Sequence, residues 1–124
     1  MIRINIKATG SVMLTGEVRG FVEEKVGKLG KLLDPSDQTI LAEVEVGSVS
    51  QSRTGDSYRA EINLTFAGGF VRAEATRETL HTALDAAVDD AQREIRHTRT
   101  KHRDLMRRGA AKFKDFLRYF NRGK

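Results

Sequence analysis

The chain has no cysteine, no tryptophan and a single proline, and aromatic residues make up only 6% of its 124 positions. Without cysteine, neither a disulfide framework nor a thiolate metal site can form. No apolar run approaches the length of a membrane-spanning helix, and the alternating start, MIRINI, lacks the pattern of a secretory signal. We therefore expect one cytoplasmic domain, because a chain of this length supports one hydrophobic core.

Acidic residues are scarce toward the C-terminus. Residues 1–92 carry 10 Arg and Lys against 14 Asp and Glu, a net charge of −4, whereas residues 93–124 carry 12 against 3, a net charge of +9. The stretch AQREIRHTRTKHR, at 91–103, holds five Arg or Lys, two His and one large apolar side chain. A solvated helix end usually mixes both signs of charge, so this basic block favours contact with a polyanion.

Hydrophobic periodicity predicts six elements in the order β-α-β-β-β-α. Four segments alternate apolar and polar residues, which is typical of strands with one buried face. Two longer segments repeat their apolar residues at steps of three and four, which is typical of amphipathic helices. The predicted strands are 2–7, 40–46, 58–66 and 71–75, and the predicted helices are 15–33 and 80–105.

This order predicts an α+β fold in which both helices cover one face of a four-stranded sheet. A right-handed crossover from the first strand to the second then makes the two helices parallel, with their C-terminal ends together. The first helix carries Lys25, Lys28 and Lys31 in its last turns. We therefore expect two basic clusters that are distant in sequence to form one patch.

Local signals bound several of these elements. Thr15 is a suitable N-cap for the first helix, and Gly68-Gly69 suits a hairpin turn because glycine adopts positive φ without steric cost. The first helix also contains glycines away from its apolar stripe, each costing about 1 kcal/mol relative to alanine, for which the sequence gives no reason. These glycines are Gly16, Gly20, Gly27 and Gly30.

The predicted outward face of the sheet argues against base-specific reading of RNA. A module of the RNA-recognition-motif type stacks bases on aromatic side chains of that face. The outward positions assigned to the third and fourth strands carry no aromatic residue, so we expect the domain to bind folded RNA by shape and backbone, through its helices. Those positions are Arg59, Glu61, Asn63, Thr65, Arg72 and Glu74.

Three strings resemble the ribosome hibernation-promoting factor family, also called ribosome-associated inhibitor A or sigma-54 modulation proteins, in its short form. They are LTGEVRGFVEEKVGKL (14–29), AGGFVRAEA (67–75) and LHTALDAAVDDAQREIRHTRTKHRD (80–104). The resemblance covers about residues 1–105. It departs at Thr79 and His81, where the family usually has Asp and Tyr.

The resemblance implies a stress-response, stationary-phase factor that binds the small ribosomal subunit in the channel for messenger and transfer RNA. There it would contact ribosomal RNA and channel-facing proteins, compete with both RNAs, inhibit translation and preserve idle ribosomes. Carried over by position, the RNA-binding residues are Arg19, Lys25, Lys28, Arg93, Arg96 and His97. On the geometric expectation alone, Lys31, Arg99, Lys101 and Arg103 join them.

Enzymatic readings have little support. His81 and Asp85, four apart on a helix, could hold a metal or act as an acid–base pair, but no third ligand is near in sequence. The chain also lacks a nucleophile–base pair and a phosphate-binding loop. We expect no catalysis, no metal and no cofactor.

A basic aromatic tail, residues 106–124, follows the predicted ribosome-binding domain, residues 1–105. Its large apolar side chains at 113, 116, 117 and 120 have the spacing of a basic amphipathic helix. The tail could extend along the messenger channel or fold back onto its own domain. The alternative function is a non-enzymatic adaptor, whose tail docks on a membrane surface or an acidic protein. Given the resemblance, we expect no membrane partner and no unaided pairing of ribosomes.

Overall fold

A computed structural model describes residues 2–49 and 57–98, which form the predicted β-α-β-β-β-α arrangement. The predicted helix over 80–105 is helical from 80 to the last described residue, and its remaining positions lie outside the described residues. The elements are β1 (Arg3–Thr9), α1 (Gly16–Gly27), a 3₁₀ turn (Lys28–Leu32), β2 (Leu41–Ser48), β3 (Tyr58–Phe66), β4 (Gly69–Arg77) and α2 (80–98).

The four strands form one sheet in the order β1-β2-β3-β4. β1 and β2 are parallel, with Ile4 opposite Ala42, whereas the pairs β2–β3 and β3–β4 are antiparallel. A parallel pair requires a crossover connection, and α1 supplies it. The predicted topology is therefore confirmed.

The hydrophobic core lies between the sheet and the two helices. Alternate residues of β2, β3 and β4 are buried, together with one stripe of each helix, so both helices cover the same face. The isoleucines of β1 are only half-buried, because β1 is an edge strand of the sheet. The largest fully buried side chains are Leu29, Ile62, Leu64, Leu84, Ile95, Val22, Val26 and Val46.

Threonine side chains cap both helices. The Thr15 hydroxyl oxygen accepts a hydrogen bond from the Val18 amide at 3.2 Å, which confirms the predicted N-cap of α1. At the start of α2, the Thr79 hydroxyl oxygen accepts from the Thr82 amide at 3.1 Å. Thr79 therefore performs the capping role that Asp can also perform at this position of the family pattern.

The first helix ends differently from the prediction. Its α-helical part stops at Gly27, and residues 28–32 continue as a 3₁₀ turn before Leu33 becomes extended, with φ −114° and ψ 162°. Glycine weakens helical propagation, and Pro35 disfavours helical backbone in the residue that precedes it. In the β3–β4 hairpin, Gly69 adopts a φ of +154°, which glycine tolerates.

We predict that Thr15→Ala lowers the free energy of unfolding by about 1 kcal/mol, because the Val18 amide loses its side-chain acceptor. Urea denaturation monitored by circular dichroism measures this change. Thr15→Ser is the control, since it keeps the hydroxyl oxygen and should retain most of the stability. Equal losses in the two variants would contradict a capping role.

Candidate nucleic-acid interface

Two contacts fix the relative direction of α1 and α2. The rings of Phe21 and His81 lie with centroids 3.9 Å apart at a tilt of 43°. One turn further along both helices, the Lys25 Nζ lies 3.1 Å from an Asp85 carboxylate oxygen. Because both sequences advance together, the helices are parallel and their C-terminal ends lie at the same end of the domain.

Lys25 is held between the helices. Its ammonium group lies 5.7 Å from the Phe21 ring centroid in addition to its ion pair with Asp85. Its side chain is 27% exposed, against 49% for Asp85. A carboxylate and an aromatic face therefore already balance the charge of Lys25, which makes this residue a tie between helices as well as a candidate RNA contact.

The same contacts argue against a metal or an acid–base pair at His81 and Asp85. His81 packs on Phe21, so an aromatic ring persists where the family pattern usually has Tyr, while Asp85 pairs with Lys25. Over residues 2–49 and 57–98, no group of three or more His, Cys, Asp or Glu side chains could hold a metal ion.

Most exposed basic residues of the two helices lie toward one end of the helix layer. From Lys25 to Lys31 the chain advances by about 11 Å through the end of α1 and the 3₁₀ turn. The same rise takes about seven residues of α2, counted from Asp85, which is level with Lys25. Lys31 is therefore level with the turn of α2 that begins at Arg93. Exposed at this end are Lys28, Lys31, Arg93, Arg96 and His97, which we call the basic end.

Not every predicted contact residue belongs to the basic end. Arg19 is exposed in the first turns of α1, about 20 Å along the helix direction from Lys31. Arg93 donates a hydrogen bond to the Asp90 carboxylate at 3.1 Å, an exposed pair of the kind that contributes little to stability. The predicted contacts Arg99, Lys101 and Arg103 lie outside the described residues.

Acidic side chains concentrate on the opposite part of the helix layer, a feature that the count of charges along the chain did not bring out. On each helix these carboxylates precede the basic end, although Arg19 lies among those of α1 and Glu94 lies beside Arg93. The layer is therefore mainly acidic where the helices begin and mainly basic where they end. The residues concerned are Glu17, Glu23, Glu24, Glu78, Asp85, Asp89 and Asp90.

On the open face of the sheet, charges of opposite sign neutralise one another. The Arg59 guanidinium bridges the carboxylates of Glu61 and Glu74, and the Arg72 Nε lies 3.2 Å from Glu61. Hydrogen bonds from Asn63 and Arg59 hold the pKa of Glu61 below its ordinary value, so this carboxylate is ionised at neutral pH. This face therefore offers no excess of positive charge to phosphates.

Phe70 corrects the expectation that the open face carries no aromatic side chain. It pairs with Thr65 across the hairpin, two residues before Arg72, and is 58% exposed. The sequence signal was present, because alternation inward at Val71 puts Phe70 outward. Phe70 is the only aromatic residue at an outward strand position in the described part of the chain, so it does not form a platform that stacks several bases.

Comparison with known proteins assigns the family. A family model described as sigma 54 modulation protein / S30EA ribosomal protein matches residues 4–103. The chain belongs to this family. The match includes both helices, the hairpin and all of the described basic end.

Curated relatives in the sigma 54 modulation / S30EA family carry the name ribosome hibernation promotion factor. The protein from Lactococcus lactis subsp. cremoris is 28% identical over 101 residues, covering 82% of this chain and 51% of the relative. The protein from Deinococcus radiodurans is 29% identical over 93 residues, covering 74% and 47%. The chain thus spans about half the length of the curated relatives that it matches.

Solved structures share the fold of this chain. The N-terminal domain of Thermus thermophilus Protein Y superimposes with a TM-score of 0.65 at 26% identity, covering 77% of this chain and 97% of that domain. A ribosomal subunit interface protein from Coxiella burnetii gives a TM-score of 0.60 at 14% identity, covering 81% and 99%, and shows the shared fold alone.

We predict that Lys25→Glu and Asp85→Lys each lower the free energy of unfolding, because each change places like charges between α1 and α2. The double variant should recover most of the loss, with a coupling of about 0.2–1 kcal/mol typical of partly exposed pairs. Thermal and urea denaturation of the four proteins measure this cycle. Additive losses would contradict the pairing, and with it the parallel register of the helices.

Proposed function

We propose that this protein is a ribosome hibernation factor that binds the small ribosomal subunit in the channel for messenger and transfer RNA. By occupying the channel it inhibits translation and preserves idle ribosomes under stress. Family membership and the names of the curated relatives support the ribosome as partner. The observation that carries the proposal is the basic end shared by the two parallel helices.

Binding rests mainly on phosphate contacts. Lys and Arg side chains that neutralise phosphates release condensed counterions, which supplies affinity for RNA irrespective of base sequence. A rigid pair of helices presents these charges at fixed spacing, which suits the backbone of folded ribosomal RNA. The proposed contact residues are Arg19, Lys25, Lys28, Lys31, Arg93, Arg96 and His97, together with Arg99, Lys101 and Arg103.

Inhibition requires no chemistry in this scheme. A domain in the messenger and transfer RNA channel excludes both ligands by occupying their volume, so messenger or initiator transfer RNA should compete with the protein. The neutral open face of the sheet supports an orientation in which the helix layer, rather than the sheet, faces the RNA.

We predict that Lys28→Glu with Lys31→Glu weakens binding to purified small subunits by about tenfold or more at moderate salt, because several phosphate contacts are lost. Arg93→Glu with Arg96→Glu should have a comparable effect. Arg3→Glu with Lys7→Glu is the matched control, since it changes the net charge equally but lies on the open face of the sheet. Cosedimentation across a salt series measures affinity and its salt dependence.

Three results would contradict the proposed function. They are binding that does not change between low and high salt, equal losses in the control and test variants, and binding unaffected by excess messenger or initiator transfer RNA. Circular dichroism of each variant verifies the fold, so that a loss of binding can be attributed to charge.

A further inference from the structure

A cleft of about 540 Å³ lies between α1, the loop that follows it and the edge strand β1. Its apolar lining includes Ile2, Ile4 and Ile40. Glu23 and Gly27 of α1 also line it. Each lies two residues along the chain from Phe21 or Lys25, which face α2, and two residues correspond to a rotation of about 200° around the helix axis. The cleft therefore lies on the side of α1 that faces away from α2.

Two of the glycines that the sequence could not explain line this cleft. Among the described residues, no atom beyond the neighbouring residues and the backbone of α1 itself lies within 4 Å of the position where Gly27 would carry a Cβ. A Cβ at Gly30 would lie 3.4 Å from Ile2 Cδ1. Gly27 therefore presents bare backbone to the cleft, whereas the Ile2 side chain already lies against Gly30. A large side chain from another segment can therefore approach the helix closely.

Negative charge exceeds positive charge at the cleft, where Glu23 and Asp34 outnumber Lys31. Asp34 accepts hydrogen bonds from the Ser36 hydroxyl at 2.7 Å and the Ser36 amide at 2.9 Å. These bonds hold the pKa of Asp34 below its ordinary value, so the carboxylate is ionised at neutral pH. The cleft suits a segment that combines large apolar side chains with positive charge.

The same chain contains a segment of this composition. Residues 106–124 hold seven Lys or Arg against one acidic residue, with Phe113, Phe116, Leu117 and Phe120 at helical spacing. The described part of α2 ends at Thr98, and the Thr98 Cγ2 lies 3.6 Å from the position where Gly69 would carry a Cβ. Thr98 therefore lies at the same end of the sheet as the end of the 3₁₀ turn. The fifteen-residue connection from Thr98 to Phe113 can span up to about 50 Å. A four-stranded sheet is about 15 Å across, so this connection is long enough to cross it.

We propose that residues 106–124 dock in the cleft between β1 and α1, in the manner of an amphipathic helix in a groove. The aromatic side chains pack on the isoleucines and on the bare backbone at Gly27, and the basic side chains lie near Glu23 and Asp34. The tail then lies on the side of α1 opposite to α2. This inference is independent of ribosome binding.

Paramagnetic relaxation tests the proposal in the full chain. Because the protein has no cysteine, Arg122→Cys accepts a single nitroxide label. We predict strong broadening of the amide signals of Ile4, Gly27 and Gly30, with little effect on Phe70 and Arg72 of the open face. In an equal mixture of labelled protein without ¹⁵N and unlabelled ¹⁵N protein, this broadening should disappear.

A pair of glycine variants provides the matched control. Gly27→Leu places a large side chain in the cleft, whereas Gly20→Leu makes the same change at an α1 position that has equally open surroundings but does not line the cleft. Leucine is the better helix former at both sites, so both variants should fold. Gly27→Leu should abolish the broadening at Ile4 and Gly30, and Gly20→Leu should retain it.

Four outcomes would overturn the proposal. Broadening centred on Arg93 and Arg96 would place the tail beside the basic end, and broadening that survives in the mixture would make a second copy the occupant. Broadening that is weak throughout would show that no docking occurs. Unchanged broadening in Gly27→Leu would show that the tail contacts the domain elsewhere.

Discussion

The single apolar face of the sheet is the constraint on which the remaining architecture depends. Because Ala42, Val44, Ile62 and Leu64 all point to one side, both helices must pack there, and the parallel pairing of β1 with β2 requires α1 to cross over that side. The chain direction that results makes α1 and α2 parallel. Two helix ends that are separated by some sixty residues of sequence thus arrive at the same end of the domain without any direct attraction between their lysines and arginines.

Like charges gathered at one end repel, and two ion pairs offset part of this repulsion. Between the helices, Lys25 pairs with Asp85 and lies near the Phe21 ring, while within α2 Arg93 pairs with Asp90. Each pair is partly exposed and contributes modestly to stability. Their effect is spatial, because the first balances positive charge where the helices touch each other and the second balances it on the exposed side of α2.

Much of the fold could be predicted because it depends on periodicity. The alternation through β2 and β3, the Thr15 cap and the long stripe of α2 each reflect local rules that single residues satisfy. The pairing of Lys25 with Asp85 could not be predicted, because it depends on the rotation and register of two helices, which the apolar stripe fixes only approximately. The outward orientation of Phe70 could also be predicted, because Phe70 directly precedes the inward-facing Val71 in an alternating strand. The change to a 3₁₀ turn after Gly27 reflects competition between weak helix formers and the extended backbone that precedes Pro35.

The distribution of charge also affects how the domain approaches a polyanion. On the helix layer most carboxylates lie where the helices begin, and most cations, with Arg19 as an exception, lie where they end. On the open face of the sheet, Arg59 and Arg72 compensate the carboxylates. The electric field of such a domain resembles that of a dipole along the helix direction. The partial charges of the two parallel helices have the opposite sense and reduce this field. Formal charges exceed those partial charges, so an RNA surface attracts the basic end and repels the other. Orientation during encounter therefore follows from the charges on the helix layer, before any side chain makes a specific contact.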